Sequence, residues 1–120
     1  MIKRIIIAED NALVRAYYLS FIKNNVPNVE IEEVEDGKTL VDSVRAYDWD
    51  FVLTDVRMKG LGGIEAVRQI RGFNTKVPIA IVSGYDAGPY LKAMERLGAY
   101  FIQKDTYEQQ LLPLLKQHLA

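Results

Sequence analysis

The chain alternates five short apolar segments with five segments in which apolar residues recur at helical spacing. The first and third apolar segments, Ile5–Ala8 and Phe51–Thr54, show no regular alternation of polar and apolar residues. A strand that is apolar on both faces is typical of a parallel sheet covered by helices on both sides. Parallel strands also need long crossover connections, and the helical segments supply them. The alternation therefore predicts an α/β fold.

The predicted architecture is a flavodoxin-like, doubly wound, five-stranded parallel sheet with five helices. In its strand order, 2-1-3-4-5, the first and third strands are neighbours where the order reverses. The second strand carries several glutamates, so we expect it near an edge of the sheet. The predicted strands are Ile5–Ala8, Val29–Val34, Phe51–Thr54, Ile79–Val82 and Tyr100–Ile102. The helices are marked by Val14–Ile22, Leu40–Tyr47, Ile64–Ile70, Leu91–Leu97 and Leu111–Leu119.

Length and composition exclude several classes of protein. The 120 residues, 49% hydrophobic and 26% charged, predict a single domain over residues 1–120. The formal net charge of −1 argues against direct nucleic-acid binding. There is no cysteine and one histidine, His118, which excludes disulfides and thiolate or histidine-rich metal sites; we expect His118 to face solvent. The apolar segments are too short to cross a bilayer, and Glu9 and Asp10 interrupt the first, so we expect no membrane partner and a cytoplasmic location.

Reactive polar residues follow four of the five predicted strands. Glu9 and Asp10 come after the first strand, Asp55 after the third, Ser83 after the fourth and Lys104 after the fifth. In an open α/β sheet, ligands bind at the carboxyl ends of the strands, near the point where strand order reverses. The predicted order places the acidic pair beside Asp55, with Ser83 and Lys104 on the other side.

This set of residues suits the transfer of a phosphoryl group onto an aspartate. Three carboxylates in one crevice repel one another, so a cation is needed to keep all of them ionised. With oxygen ligands only, the matching cation is Mg²⁺ or Mn²⁺. A divalent cation beside a carboxylate and Lys104 would cradle a dianionic phosphoryl group, and Ser83 could donate to one of its oxygens.

The same residues resemble the receiver domain of two-component response regulators, of the chemotaxis-regulator type, over essentially the whole chain. The resemblance depends on Glu9-Asp10 after the first strand and on Leu53-Thr54-Asp55-Val56-Arg57-Met58 at the third. Val82-Ser83-Gly84 and the segment from Gly98 to Lys104 complete it. Each motif alone is weak, but all of them in order at the right strand ends are highly specific.

The resemblance implies a phosphorylation-activated signalling switch rather than an enzyme, one that assists only its own phosphorylation and dephosphorylation. Asp55 would accept the phosphoryl group from the phosphohistidine of a sensor histidine kinase or from a phosphotransfer protein. Asp10, Asp55 and the carbonyl of Arg57 would bind Mg²⁺, with Glu9 helping through water. Lys104 would pair with the phosphoryl group, and Ser83 and Phe101 would act as switch residues.

The resemblance also implies partners that these residues do not specify. A homodimer formed on phosphorylation is compatible with it. So is a role in transcription through a separate DNA-binding output domain. In the same family, the side chains at Arg57 and Tyr85 border the path of the water that hydrolyses the phosphoaspartate. Both are large here, and we expect them to slow self-dephosphorylation.

Three positions depart from the family pattern. Lys59 replaces a proline, Gly62 stands where a helix-capping residue is common, and Asp105 follows the lysine in place of a proline with a cis peptide bond. Because a cis bond before a residue other than proline costs about 2.5–4 kcal/mol, we expect a trans bond or a strained loop there. These departures leave an alternative open, a pseudo-receiver that binds a protein partner without phosphorylation.

Two other functions fit the sequence less well. A flavodoxin would need a phosphate-binding loop rich in Ser, Thr and Gly after the first strand, where the acidic Glu9 and Asp10 would repel a flavin phosphate. A phosphatase with an aspartyl nucleophile would need a second acid two residues after Asp55, where Arg57 stands.

Overall fold

The computed structural model describes residues 1–84 and 88–119. Its five parallel strands lie in the order β2-β1-β3-β4-β5, which confirms the predicted topology. The strands are β1 (Lys3–Ala8), β2 (Val29–Val34), β3 (Phe51–Asp55), β4 (Ile79–Ser83) and β5 (Tyr100–Gln103). The helices are α1 (Ala12–Asn25), α2 (Gly37–Ala46), α3 (Gly63–Arg71), α4 (Leu91–Leu97) and α5 (Tyr107–Leu119). Short 3₁₀ turns at Gly88–Tyr90 and Lys104–Thr106 precede α4 and α5.

The core has two halves, one on each face of the sheet. Successive strand residues point to opposite faces, so Ile6 packs with Leu40 of α2 and Val67 of α3, whereas Ile5 packs with residues of α1 and α5. Ile5–Ala8 of β1 and all of β3 and β4 are buried, as their apolar sequences predict. The edge strand β2 is mostly exposed, which agrees with its glutamates. Helices on both faces leave the carboxyl ends of the strands as an open edge.

Side chains cap two of the helices that begin at this edge, α1 and α2. Asn11, the N-cap of α1, accepts hydrogen bonds through Oδ1 from the amides of Leu13 and Val14 at 3.0 and 3.1 Å. Asp36 caps α2 in the same way, with Oδ1 2.8 Å from the amide nitrogen of Thr39. An N-cap satisfies an amide that has no partner within its own helix.

Asp36 will make the stability of the fold depend on pH. Its hydrogen bonds to the start of α2 lower its pKa below the ordinary value. The stabilisation is therefore present above about pH 4 and is lost as the pH falls through the lowered pKa of the folded state. Asp36→Ala should cost about 1 kcal/mol of unfolding free energy at pH 7. Urea unfolding at pH 7 and pH 3 measures the effect.

Asp36→Asn is the matched control, because asparagine caps helices as well as aspartate does but does not titrate. Its free energy of unfolding should be close to that of the wild type at pH 7 and higher than that of the wild type at pH 3. If the free energies of unfolding of Asp36→Asn and the wild type differ by the same amount at both pH values, Asp36 is not the source of the pH dependence.

The expectation that His118 faces solvent is wrong. Its ring is half-buried, its Nε2 lies 2.9 Å from the hydroxyl oxygen of Tyr100, and its ring lies 6.0 Å from that of Phe51. The last turn of α5 packs back across the sheet, and this brings His118 against β3 and β5. Within residues 1–84 and 88–119, no helix has the length and apolar character that a bilayer span requires.

Candidate functional site

A cleft of about 730 Å³ opens at the carboxyl edge of the sheet. β3 and β4 each extend one residue beyond their predicted ends, so Asp55 and Ser83 are the last residues of buried strands. Phe101 of β5 lies outside the cleft and packs, half-buried, against the core on the α4 face. The predicted site residues that line the cleft are Glu9, Asp10, Asp55, Arg57, Ser83 and Lys104.

Asp55 lies at the base of the cleft and is only 5% exposed. Its Oδ1 accepts a hydrogen bond from the amide of Val56 at 2.9 Å, and its Oδ2 accepts one from Nζ of Lys104 at 3.0 Å. The strand thus holds the main chain of Asp55, and two donors orient its carboxylate. One face of that carboxylate borders the open cleft.

Lys104 connects two acids that are distant in sequence. Its Nζ lies 3.0 Å from Asp55 Oδ2 and 3.8 Å from Glu9 Oε1, and the side chain is about one-third exposed. Burial lowers the pKa of Lys104, but the hydrogen bond to Asp55 and the charges of the neighbouring acids outweigh burial and raise it above its ordinary value. The side chain is therefore a stable ammonium group, and its open side faces the cleft.

Glu9 is a buried acid with incomplete hydrogen bonding. It is 1% exposed, and its Oε1 accepts from the amide of Asn11 at 3.3 Å. Its Oε2 has no hydrogen-bond partner in the part of the chain that the structure describes. Burial is the main cause, and the neighbouring Asp55 the second, of a pKa of Glu9 that is raised to about 8. An anion in this position is costly, and a nearby cation would stabilise it.

Tyr18 of α1 is a buried hydroxyl that the sequence did not reveal as part of this region, because it occupies an apolar position of the helix. It is 1% exposed, and its hydroxyl has no hydrogen-bond partner among the described residues. Burial, with the charges of Asp55 and Glu9 as further causes, raises its pKa above the ordinary value. The hydroxyl therefore stays protonated.

The oxygen donors suit a hard divalent cation. Within residues 1–84 and 88–119, no group of three or more His, Cys, Asp or Glu side chains is arranged so that it could hold a metal ion. Mg²⁺ does not need such a group, because it keeps several waters and binds through one or two carboxylates. Two oxygen donors fit this chemistry: Oε2 of Glu9, which has no hydrogen-bond partner among the described residues, and the carboxylate of the exposed Asp10, which lines the cleft. The predicted ligand set remains a prediction.

The loop after Asp55 depends on a close approach by Gly63. The amide of Gly63 donates to the carbonyl oxygen of Val56 at 2.8 Å. A Cβ atom at Gly63 would lie 1.9 Å from the carbonyl oxygen of Asp55, so only glycine fits there. The sequence alone does not reveal this contact, because the contact exists only when α3 packs against the end of β3.

The departures from the family pattern leave the cleft intact. The peptide bond between Lys104 and Asp105 is trans, one of the two outcomes expected. Lys59 and Arg57 both line the cleft. Tyr85, the second residue predicted to slow self-dephosphorylation, lies outside the described residues.

Comparisons with known proteins agree with this geometry. The family model for the response regulator receiver domain matches residues 5–116. The nitrate/nitrite response regulator protein NarP of Escherichia coli is 25% identical over 114 residues, which are 94% of this chain and 53% of that protein. The transcriptional regulatory protein FixJ of Bradyrhizobium diazoefficiens is 28% identical over 83 residues, 68% of this chain and 40% of that protein. The chain thus spans about half or less of the length of these relatives.

Solved structures share the fold. A two-component response regulator of the LuxR family from Aurantimonas sp. SI85-9A1 superposes with a TM-score of 0.87 at 25% identity, covering 100% of this chain and 86% of that one. The chemotaxis response regulator CheY4 of Vibrio cholerae gives a TM-score of 0.84 at 19% identity, covering 99% and 100% of the two chains. The second likeness concerns the fold alone.

Proposed function

Because this chain belongs to the family of response regulator receiver domains, we propose that it accepts a phosphoryl group on Asp55 from the phosphohistidine of a sensor histidine kinase or a phosphotransfer protein. The observation that carries the proposal is the buried Asp55 carboxylate, held between the Val56 amide and the Lys104 ammonium and open to the cleft. Such an arrangement orients a nucleophile and offsets the charge of an incoming dianion.

In the proposed transfer, a carboxylate oxygen of Asp55 forms a bond to phosphorus as the bond from phosphorus to the donor nitrogen breaks. The electron pair of that bond leaves with the donor imidazole. The Val56 amide keeps the carboxylate oriented, and Lys104 can follow the charge from Asp55 to the phosphoryl oxygens. Ser83, buried at the end of β4, lies where its hydroxyl could donate to another of these oxygens.

The divalent cation belongs to the same proposal. Asp10, Asp55 and the carbonyl of Arg57 would hold Mg²⁺, with Glu9 acting through water, and the bound cation would neutralise charge on the phosphoryl oxygens. Glu9 is suited to a supporting role because it is buried and one of its carboxylate oxygens has no hydrogen-bond partner in the described part of the chain. Mn²⁺ has the same preference for oxygen ligands and would replace Mg²⁺.

The output of the switch would pass through β5. Ser83 lies opposite Gln103 in the register of β4 and β5. Phe101 lies two residues before Gln103 on β5 and packs against the core cluster that includes Met94 of α4. A shift of Lys104 or Ser83 toward a phosphoryl group would bias the position of Phe101 between two states. Relatives such as FixJ are transcriptional regulatory proteins, so we propose that a separate output domain receives the signal. We also propose that phosphorylation favours a homodimer.

Intact-mass analysis after incubation with acetyl phosphate tests the proposal. With Mg²⁺ present, the protein should gain the mass of one phosphoryl group, and chelation of the cation should suppress the gain. A protein that gains no mass with Mg²⁺ or Mn²⁺ would contradict the proposal and favour the alternative, a pseudo-receiver that binds its partner without phosphorylation.

Lys104 should couple phosphorylation to the change of shape. Lys104→Ala should still become phosphorylated, because Asp55 remains, but its NMR shifts around Phe101 on phosphorylation should be smaller than in the wild type. The physical reason is that Lys104, which directly follows β5, donates a hydrogen bond to Asp55. Its ammonium group can therefore move toward the negative charge that phosphorylation adds to Asp55. Lys23→Ala, at an exposed lysine of α1, is the control. Shifts of wild-type size in Lys104→Ala would refute the coupling role.

A further inference from the structure

Arg15 joins three segments behind the acidic residues of the cleft. It lies on α1, one turn after the N-cap, and its side chain is only 14% exposed. Its Nη1 donates to the carbonyl oxygen of Glu9 at 2.7 Å, and its Nε donates to Oε1 of Glu33 at 3.2 Å. Its Nη2 lies 3.6 Å from Oε1 of Glu35. The guanidinium thus links the end of β1 to the end of β2 and the segment that follows it.

The contact with Glu9 controls how the acidic pair leaves the sheet. The carbonyl of Glu9 and the amide of Asp10 form one planar peptide unit, so holding the carbonyl fixes the orientation of that plane. The amide of Glu9 is held separately, by the carbonyl oxygen of Val34 at 3.1 Å. With both sides of Glu9 held, the side chains of Glu9 and Asp10 depart from the sheet in defined directions.

We propose that Arg15 is a positioning residue for the divalent-cation site, acting through its hydrogen bond to the carbonyl of Glu9. The inference rests on the proposed function, because it assumes that Glu9 and Asp10 serve a bound cation. It adds a residue that no motif marks, on a helix whose other face is in the core. Groups that orient the ligands of a metal typically change metal affinity by about 10–100-fold when they are removed.

The positive charge of Arg15 and its hydrogen bond to Glu9 would have opposite effects on the affinity for a cation. Removing one positive charge near the cleft would strengthen cation binding, whereas loss of the hydrogen bond to Glu9 would weaken it. Glu33 separates the two effects, because it pairs with Arg15 but accepts no hydrogen bond from the Glu9 peptide. Arg15→Gln combined with Glu33→Gln removes one charge of each sign and leaves the net charge unchanged.

The experiment titrates Mg²⁺ alone into isotope-labelled protein and follows the amide resonance of Asp10 by NMR, with no phosphoryl donor present. The double variant Arg15→Gln/Glu33→Gln should bind Mg²⁺ about tenfold more weakly than the wild type. Glu33→Gln alone should bind within about twofold of the wild type, because a partly exposed ion pair contributes little. Arg15→Lys, which keeps the charge and one donor, should bind more tightly than the double variant.

Two further measurements separate positioning from a loss of fold. Asp36→Ala, which weakens the cap of α2, should lower stability without changing Mg²⁺ affinity. In the wild type, the Nε–Hε resonance of Arg15 should shift along with that of Asp10 as Mg²⁺ is added. This wild-type measurement needs no variant to fold.

The inference is overturned if the folded double variant binds Mg²⁺ within about twofold of the wild type, or if Mg²⁺ moves the Asp10 resonance without moving that of Arg15. In either case the wild type still binds the cation, so the proposed function stands. A wild type whose Asp10 resonance does not respond to Mg²⁺ would instead contradict the proposed cation site and, with it, the role of Arg15.

Discussion

Asp55→Asn should acquire no phosphoryl group from acetyl phosphate and Mg²⁺ under conditions that label the wild type. The amide has nearly the shape of the carboxylate but lacks its nucleophilic charge, so the reacting group is lost while the cleft keeps its form. The change also removes the acceptor charge opposite Lys104, whose Nζ lies 3.0 Å from Asp55 Oδ2. Intact-mass analysis measures the outcome directly.

Asp42→Asn provides the matched control. This exposed aspartate lies on α2, does not line the cleft and undergoes the same chemical change. It should be labelled like the wild type. Labelling of Asp55→Asn at the wild-type rate would place the phosphoacceptor elsewhere, and peptide mapping of that product would identify it.

Gly63→Ala should destabilise the protein by about 3 kcal/mol or more, a large part of the stability of a domain of this size. The added methyl group would lie 1.9 Å from the carbonyl oxygen of Asp55 and 3.2 Å from Cα of Val56. Both are main-chain atoms of the phosphoacceptor strand and its loop, so no side-chain rotation relieves the contact. Either α3 must move away or the peptide after Asp55 must turn.

Gly62→Ala tests whether any alanine in this loop has the same effect. A Cβ at Gly62 would lie 3.2 Å from the carbonyl oxygen of Val56, a contact that a small adjustment relieves. Its φ of −76° is open to any residue. Urea unfolding should show a change of about 1 kcal/mol or less. Equal losses in the two variants would contradict the explanation based on the Asp55 carbonyl.

The local pattern of the sequence determined the sheet and the edge at which chemistry takes place. Strands that are apolar on both faces require helices on both sides, and right-handed crossovers bring all carboxyl ends to one edge. The polar residues after successive strands must then meet there, so Glu9, Asp55 and Lys104 could be grouped without coordinates. The cap at Asn11 was also predictable, because it depends on neighbours a few residues away.

Contacts between distant segments were decided only by the tertiary structure. Lys104 meets Asp55 across 49 positions of sequence, and the 3.0 Å distance depends on how the strands twist and align. Likewise, Gly63 touches the Asp55 carbonyl only because α3 packs directly over the end of β3.

Arg15 and His118 show why the helical periodicity of the sequence does not predict such contacts. Helical spacing indicates which face of α1 or α5 is buried. It does not indicate which backbone carbonyl or side-chain hydroxyl a polar residue at the edge of that face will contact. Arg15 reaches the Glu9 carbonyl, and His118 reaches Tyr100 instead of solvent. The rotation and axial position of each packed helix select these partners. Both arise from the fit of the whole core, which no local segment of the sequence contains.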